Sequence, residues 1–280
     1  MANVIPITDP ADPRIDAYRD IRERDLVGRA GLFVAEGKVV LSMLLASTAF
    51  HPQSLLISAR RLASLAAMLA DLPEEVPVYS AAQPVLDAIA GFPLHRGILA
   101  IGRRVETPGA DALLEAMPAK ATVLLLSAIA NHDNLGGIFR NAAALGAHGV
   151  LLDSDCCDPL YRKALRVSVG TVLTVPFARL APGEDALALL DRHRFAAIAL
   201  SPRGGIALSR WKPPGRTAVL LGAEGPGLAA ELLARVTSVR IPMAVGVDSL
   251  NVATTSGIVL HHVAAARADP EDAPTTEAAA

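Results

Sequence analysis

The sequence predicts an α/β protein built on a mainly parallel sheet, and three observations carry that prediction. Short runs such as 122–127 and 217–221 are apolar at nearly every position, as strands covered on both faces are. Between such runs lie segments with apolar residues three and four apart, for example Leu62, Leu65, Ala66 and Leu69, which is helical spacing. Glycine-bearing loops follow several strands, and in sheets of this class a ligand sits beyond the carboxyl ends of the strands.

Taken in order, the pattern predicts a helix over 15–27, a strand near Phe33 and a helix from Lys38. Strands follow at 55–57 and 76–79 with a helical stretch over 58–72 between them, and GILAI at 97–101 closes the unit as a buried strand. Charges together with Pro108, Gly109 and Pro118 then mark a connector holding one short helix. The expected organisation is therefore a first unit over 1–105, a linker over 106–120 and a second unit over 121–268. Strands of the second unit are expected at 122–127, 149–152, 195–200, 217–221 and 238–241, separated by helices. With 280 residues, 52% of them apolar, the chain can bury two cores. The acidic, proline-containing tail over 269–280 is expected to be disordered.

Composition excludes several classes. No apolar run approaches the roughly 20 residues that cross a bilayer, and the N-terminus lacks a basic-then-apolar leader, so a soluble cytoplasmic protein is expected. Cys156 and Cys157 are adjacent, which strains a mutual disulfide and leaves no second pair for zinc, so reduced thiols and no metal are expected. The net charge of −2 does not favour a polyanionic partner. Without the tail, however, the acidic count falls from 28 to 24 against 26 basic residues. Arg14, Arg19, Arg22, Arg24 and Arg29 cluster near the N-terminus, interleaved with Asp16, Asp20, Glu23 and Asp25. A phosphate-binding face and a solvated helix laced with ion pairs both fit that pattern.

Three loops of the second unit carry the candidate chemistry. In ANHDNLGGIFRNA, Asn134 is expected to cap a helix starting near Leu135, which places Gly136, Gly137 and Arg140 within two turns of its positive end. Phosphate could dock there, or the arginine could simply be exposed. In LLGAEGPGL, Gly222, Gly225 and Gly227 surround Glu224, which suits either close approach to a ligand or a tight turn into a helix over 228–234. It does not spell the dinucleotide fingerprint. In RIPMAVGVDSLNVATTSGIVLHH, Ser249 or Asp248 is the expected cap, and Asn251 falls in the first turn. The helix that follows is apolar or small almost all round, which signals a core or subunit contact. His261 and His262 lack an acidic or hydroxyl partner and are expected to be packed or interfacial rather than catalytic.

Together NLGGIFRNA, RVSVG at 166–170, LLGAEGPGL and IPMAVGVDSLNVA resemble, in order and spacing, the motifs of the SpoU family of RNA ribose methyltransferases, a branch of the SPOUT superfamily. The resemblance covers about 121–267. FVAEGKVVLSMLL and HRGILAIGRR are similar to the smaller N-terminal substrate-binding domain of that family, which has a ribosomal-protein-like α/β fold.

The resemblance implies a trefoil knot in the C-terminal unit, a homodimer, S-adenosylmethionine as cofactor, and a ribose 2'-hydroxyl of structured RNA as acceptor, ribosomal RNA ahead of tRNA. It implies cofactor binding by Gly222, Ile241, Met243 and Leu250. Arg140 corresponds to the catalytic arginine of the family, and Asn134, Glu224, Ser249 and Asn251 match the remaining polar motif positions. Since arginine is a poor base, Arg140 is expected to grip the phosphate and position the hydroxyl. Arg166 is implied as a phosphate clamp acting across the dimer. TTSGIVLHH departs from the more uniformly apolar family pattern, and 4% aromatic content favours recognition of RNA shape and phosphates over base stacking. The other classes in play are a non-catalytic RNA-binding module and a nucleotide-dependent oxidoreductase.

Overall fold

The computed structural model describes residues 3–19, 31–91, 93–105, 108–223, 225 and 227–268. Among these residues the strands form two sheets. The first has five strands in the order β1-β4-β3-β5-β2, comprising β1 (Val4–Ile7), β2 (Leu32–Glu36), β3 (Phe50–Ser58), β4 (Val78–Ala81) and β5 (Ile98–Arg104). Only β5 runs antiparallel to its neighbours. Helices α1 (Lys38–Ala46) and α2 (Leu62–Leu69) cover one face, while α3 (Gln83–Ala90) covers the other with Ile15 and Tyr18.

The expected strands and helices of this half are present, with three differences. A 3-10 helix, Pro13–Tyr18, occupies the start of the expected helix over 15–27, the remainder of which lies largely outside the described residues. β1 and α3 were not expected. β1 is too short to show a period, but α3 carries its own punctuation, a proline in its first turn and the left-handed Gly91 (φ 75°) at its end.

The second sheet has seven strands, all parallel, in the order β10-β12-β9-β11-β6-β7-β8. These are β6 (Ala121–Ser127), β7 (Gly149–Leu152), β8 (Phe177–Arg179), β9 (Ala196–Leu200), β10 (Ile206–Ala207), β11 (Arg216–Gly222) and β12 (Thr237–Arg240). β11 lies between β6 and β9 although it follows both in the chain. The pleat sorts the core: Val123 and Leu125 face α4 (Ala110–Glu115), α7 (Ala186–Arg192) and the short α8 (Ala230–Leu233), whereas Leu124 and Leu126 face α5 (His132–Ala144), α6 (Arg162–Val167) and α9 (Val252–Ala265). The expected connector holds its single short helix, α4. Leu113, Leu114 and Met117 in and just after it are buried under the second sheet.

One continuous apolar core joins the two sheets. Phe33 meets Phe50 edge-on at 5.6 Å, Phe50 stacks on Phe177 at 6.4 Å, and Phe177 meets Phe139 edge-on at 5.5 Å. Gly102 makes room for the Phe33 ring, since a Cβ there would overlap it. The Arg104 guanidinium lies 4.4 Å from the Phe177 centroid, and burial holds its pKa below the ordinary arginine value. An ion pair across the seam, Arg162 with Glu36 at 3.5 Å, adds a polar link. Among the described residues, no helix is long and apolar enough to cross a membrane.

Candidate active site

The site is built at the carboxyl edge of the parallel sheet, where α5, α6 and α9 begin. Helix α5 starts three residues earlier than expected: Asn131, not Asn134, is its cap, its side chain accepting from the Asp133 N–H at 2.8 Å. The apolar pattern that pointed to Leu135 begins only once the chain has already entered the helix. Freed from capping, Asn134 is buried, and its Oδ1 accepts from Asn251 Nδ2 at 2.8 Å.

Asn251 in turn corrects the second cap. Neither Ser249 nor Asp248 caps α9; Asn251 does, with Oδ1 accepting from the N–H groups of Ala253 and Thr254 at 2.9 and 3.2 Å. Both ends of its amide are thus used, which fixes its orientation.

Below this pair α5 and α9 run side by side at close range. A Cβ on Gly137 would come within 2.8 Å of Ala253 Cβ, and one on Gly136 within 2.7 Å of the Ala164 carbonyl of α6. The two glycines therefore admit a helix on either flank of α5. Asn141 completes the seam, donating through Nδ2 to the Ala253 carbonyl at 2.6 Å and to Ser256 Oγ at 3.0 Å. Sequence reasoning passed over Asn141 and Ser256 because nothing local distinguishes a buried clamp from a solvated amide.

Beside the Asn134–Asn251 bond, the turns after β9, β11 and β12 enclose a recess of about 120 Å³ that opens into an outer cleft of about 760 Å³. The expected Gly222, Ile241, Met243, Ser249 and Leu250 all line the recess. Gly222 is required there: the β11 turn folds back so closely that a Cβ would lie 2.5 Å from the Gly227 carbonyl carbon. Gly225 and Gly227 make that turn with φ of 87° and 71°. Leu200, Ser201, Pro202, Leu228 and Thr255 also line it. Of these, the turn after β9, which holds Pro202, Gly204 and Gly205, resembles none of the family motifs and was passed over, and Thr255 was hidden in the departure from the family pattern. The walls are apolar with a few hydroxyls, a composition suited to an organic ligand with a planar apolar part.

Arg140 is exposed on α5 and is not among the recess walls. It stands one turn beyond Gly136, on the flank of α5 against which α6 packs, and α6 carries the exposed Arg166. Glu224 lies outside the described residues, as do Arg22, Arg24 and Arg29. Arg14 and Arg19 pair with Asp12 and Asp16, the ion-paired alternative for these two members of the cluster. Burial raises the thiol of Cys156 to about 12 and that of Cys157 to about 11, so both are inert free thiols. His262 is packed, stacked on Trp211 with Nε2 at 2.8 Å from its carbonyl oxygen, while His261 is exposed. Among the described residues, no group of three His, Cys, Asp or Glu could hold a metal ion.

Residues 121–261 match the model of the SpoU rRNA Methylase family. The chain belongs to the SpoU family. A Mycobacterium bovis protein described as an uncharacterized tRNA/rRNA methyltransferase is 41% identical over 270 residues, covering 92% of this SpoU chain and 91% of its relative. A 23S rRNA (guanosine-2'-O-)-methyltransferase of Salmonella typhi is 29% identical over 189 residues, 66% of this chain and 77% of that protein. The fold is that of solved SpoU-type enzymes. An AdoMet-bound rRNA methyltransferase from Sinorhizobium meliloti superposes with a TM-score of 0.80 at 23% identity, covering 95% of this chain and 99% of that one. The SpoU methyltransferase of Streptomyces viridochromogenes gives 0.78 at 23% identity, covering 91% and 98%. This SpoU chain is thus a member of an RNA methyltransferase family, and its two-sheet α/β architecture agrees with the fold class expected from its sequence.

Proposed function

We propose that the chain transfers the methyl group of S-adenosylmethionine to a ribose 2'-hydroxyl of structured RNA, ribosomal RNA ahead of tRNA. The observation that carries this reading is the convergence of the β11 turn and the 241–250 loop on one recess, with Asn251 bonded to Asn134 of the arginine-bearing helix.

The recess fits the cofactor. Gly222 leaves the backbone bare where a Cβ would collide, Leu200, Leu228 and Leu250 supply apolar walls for an adenine, and Ser201, Ser249 and Thr255 supply hydroxyls for polar edges. When bound, the sulfonium supplies an already activated methyl, so the protein's task is alignment and removal of one proton. Arg140, a poor base, holds the phosphate next to the target ribose and so presents the 2'-oxygen, with phosphate or water accepting the proton. Asn134 and Asn251 keep α5 at a fixed height beside the recess, and Ser249, Glu224 and Met243 complete the ribose and cofactor contacts. Arg166 clamps a second phosphate.

Two features of assembly belong to the same proposal. β11 inserted between β6 and β9, followed by α9 tucked against α5, supports a trefoil knot in the 121–268 unit. Exposed Val245, Val247, Leu250 and Ile258 support a homodimer that covers the 241–250 loop and one flank of α9, leaving the 1–105 unit to dock on RNA. The test is transfer of labelled methyl from S-adenosylmethionine to ribosomal RNA and tRNA of cells lacking the gene, followed by nucleoside analysis. Label on a 2'-oxygen of ribosomal RNA is expected. Label confined to tRNA would reverse the substrate, and label on a base, or none on any RNA, would overturn the reaction.

A further inference from the structure

At the carboxyl ends of β2, β3 and β4 the chain turns at Gly37, Ser58 and Ala82, and β5 sets out from the same edge at Ile98. Lys38, Arg60, Arg61, His95 and Arg96 stand on these turns, all exposed. Backbone bonds hold the turns together, from Gly37 N–H to the Ile98 carbonyl at 3.0 Å and from Ser58 N–H to the Gly97 carbonyl at 2.8 Å. The cations converge in consequence. A Cβ on Gly37 would lie 3.0 Å from Arg96 Cδ, and one on Gly97 would lie 3.8 Å from Arg61 Cγ.

Among the described residues the side chains of Lys38, Arg60, Arg61 and Arg96 make no ion pair and no hydrogen bond. The neighbouring carboxylates are already engaged: Glu36 pairs with Arg162 of α6, and Asp87 accepts from the Leu94 N–H and from Gln83. The opposite edge of the same sheet differs. Asp71 and Glu75 line a cleft there, with Glu74 exposed between them. A chain of net charge −2 thus gathers uncompensated cations on one sheet edge, and the Glu36–Arg162 pair joins that edge to α6 and Arg166.

We infer that the edge formed by Lys38, Arg60, Arg61 and Arg96 docks the phosphodiester backbone of a double-stranded RNA segment flanking the methylated nucleotide. This rests on the RNA-methylating reading above and adds the surface and the form of RNA it takes. Guanidinium groups match phosphate oxygens in bidentate geometry, and neighbouring turns at a sheet edge present them as a row, as a duplex presents its phosphates. An A-form helix is read through shape and phosphates, whereas single strands call for stacking aromatics, of which the chain has few.

The test is fluorescence anisotropy of the full chain with an RNA duplex of about 20 base pairs, titrated at several salt concentrations, for the wild type and for K38Q/R61Q/R96Q. Wild-type binding that weakens with salt is expected. The triple variant should bind at least about tenfold more weakly near 100 mM salt, with a log–log salt slope shallower by about 2 to 3, near one unit for each lost phosphate contact. Binding of S-adenosylmethionine by calorimetry should be unchanged, which shows that the variant folds. A control, R103Q/K120Q/R194Q, removes the same charge from exposed cations elsewhere and should bind as the wild type does. Equal affinity and slope in wild type and triple variant, an equal loss in the control, or tighter wild-type binding to the single strand than to the duplex would each overturn the inference. Should the wild type transfer no methyl to any RNA, the reaction falls while the anisotropy still decides the surface.

Discussion

Arg140 stands exposed at the flank of α5, outside the recess walls, the place for a group that grips an incoming substrate rather than one that holds the cofactor. Arg140→Ala should therefore lower turnover by at least about two orders of magnitude while S-adenosylmethionine affinity, measured by calorimetry, stays near wild type. A variant of normal turnover would remove Arg140 from the mechanism. The Asn134–Asn251 bond makes a different kind of prediction. Asn251→Ala loses the α9 cap as well as this bond, whereas Asn134→Ala leaves the cap in place, so a double-mutant cycle in urea should return a coupling energy of about 1 kcal/mol. His148 gives a pH signature. Burial, with the nearby Arg267, holds its pKa below 6.5, and Nδ1 accepts from the Thr122 N–H, so the folded state requires the neutral ring. A depressed folded pKa means that the contribution is present above pH 6.5 and lost as pH falls below it. His132, lowered mainly by burial, has the same sign. Thermal melts should drop between pH 7.5 and 5.5, and His148→Gln should flatten part of that drop.

At the scale of elements, the register of α9 is set at both ends. Asn251 caps its start, and at its far end Arg267 donates to Thr122 Oγ1 at 2.6 Å, to the Pro214 and Gly215 carbonyls at 2.8 and 2.9 Å, and to Thr217 Oγ1 at 3.1 Å. Arg267→Ala removes these charged bonds at the amino ends of β6 and β11, leaving the Pro214 carbonyl only its bond from Thr217 Oγ1 and the Gly215 carbonyl only its bond from the Ala121 N–H, and should cost about 1.5 to 3 kcal/mol by chemical denaturation. Much of this scaffold was legible in the sequence, because fully buried parallel strands are apolar runs and the helices between them carry a clear period. The caps were not. Asn131 and Asn134 are the same residue type three positions apart, and only tertiary contact decides which turns inward to Asn251. In the same way Gly136 and Gly137 read only as lying in the first turns of a helix, and no local pattern shows that their spacing serves two flanking helices.

At the scale of the whole molecule, the sequence located the recess through its glycine turns, but the wall contributed by Ser201 and Pro202 depends on β9 lying next to β11, a long-range pairing that no local pattern encodes. The ladder of Phe33, Phe50, Phe177 and Phe139 was equally hidden, since three of its rings come from strands of both sheets and the fourth from α5. Exposed Val245, Val247 and Ile258 lead us to expect a dimer in sedimentation equilibrium, and Ile258→Lys should shift it toward monomer. The most direct test of the account is a crystal structure of the full chain with S-adenosylmethionine. The cofactor should occupy the recess between Gly222, Ile241 and Leu250, its methyl directed to the side where Asn134 meets Asn251. Cofactor density elsewhere on the chain, or a recess still empty at saturating cofactor, would contradict it.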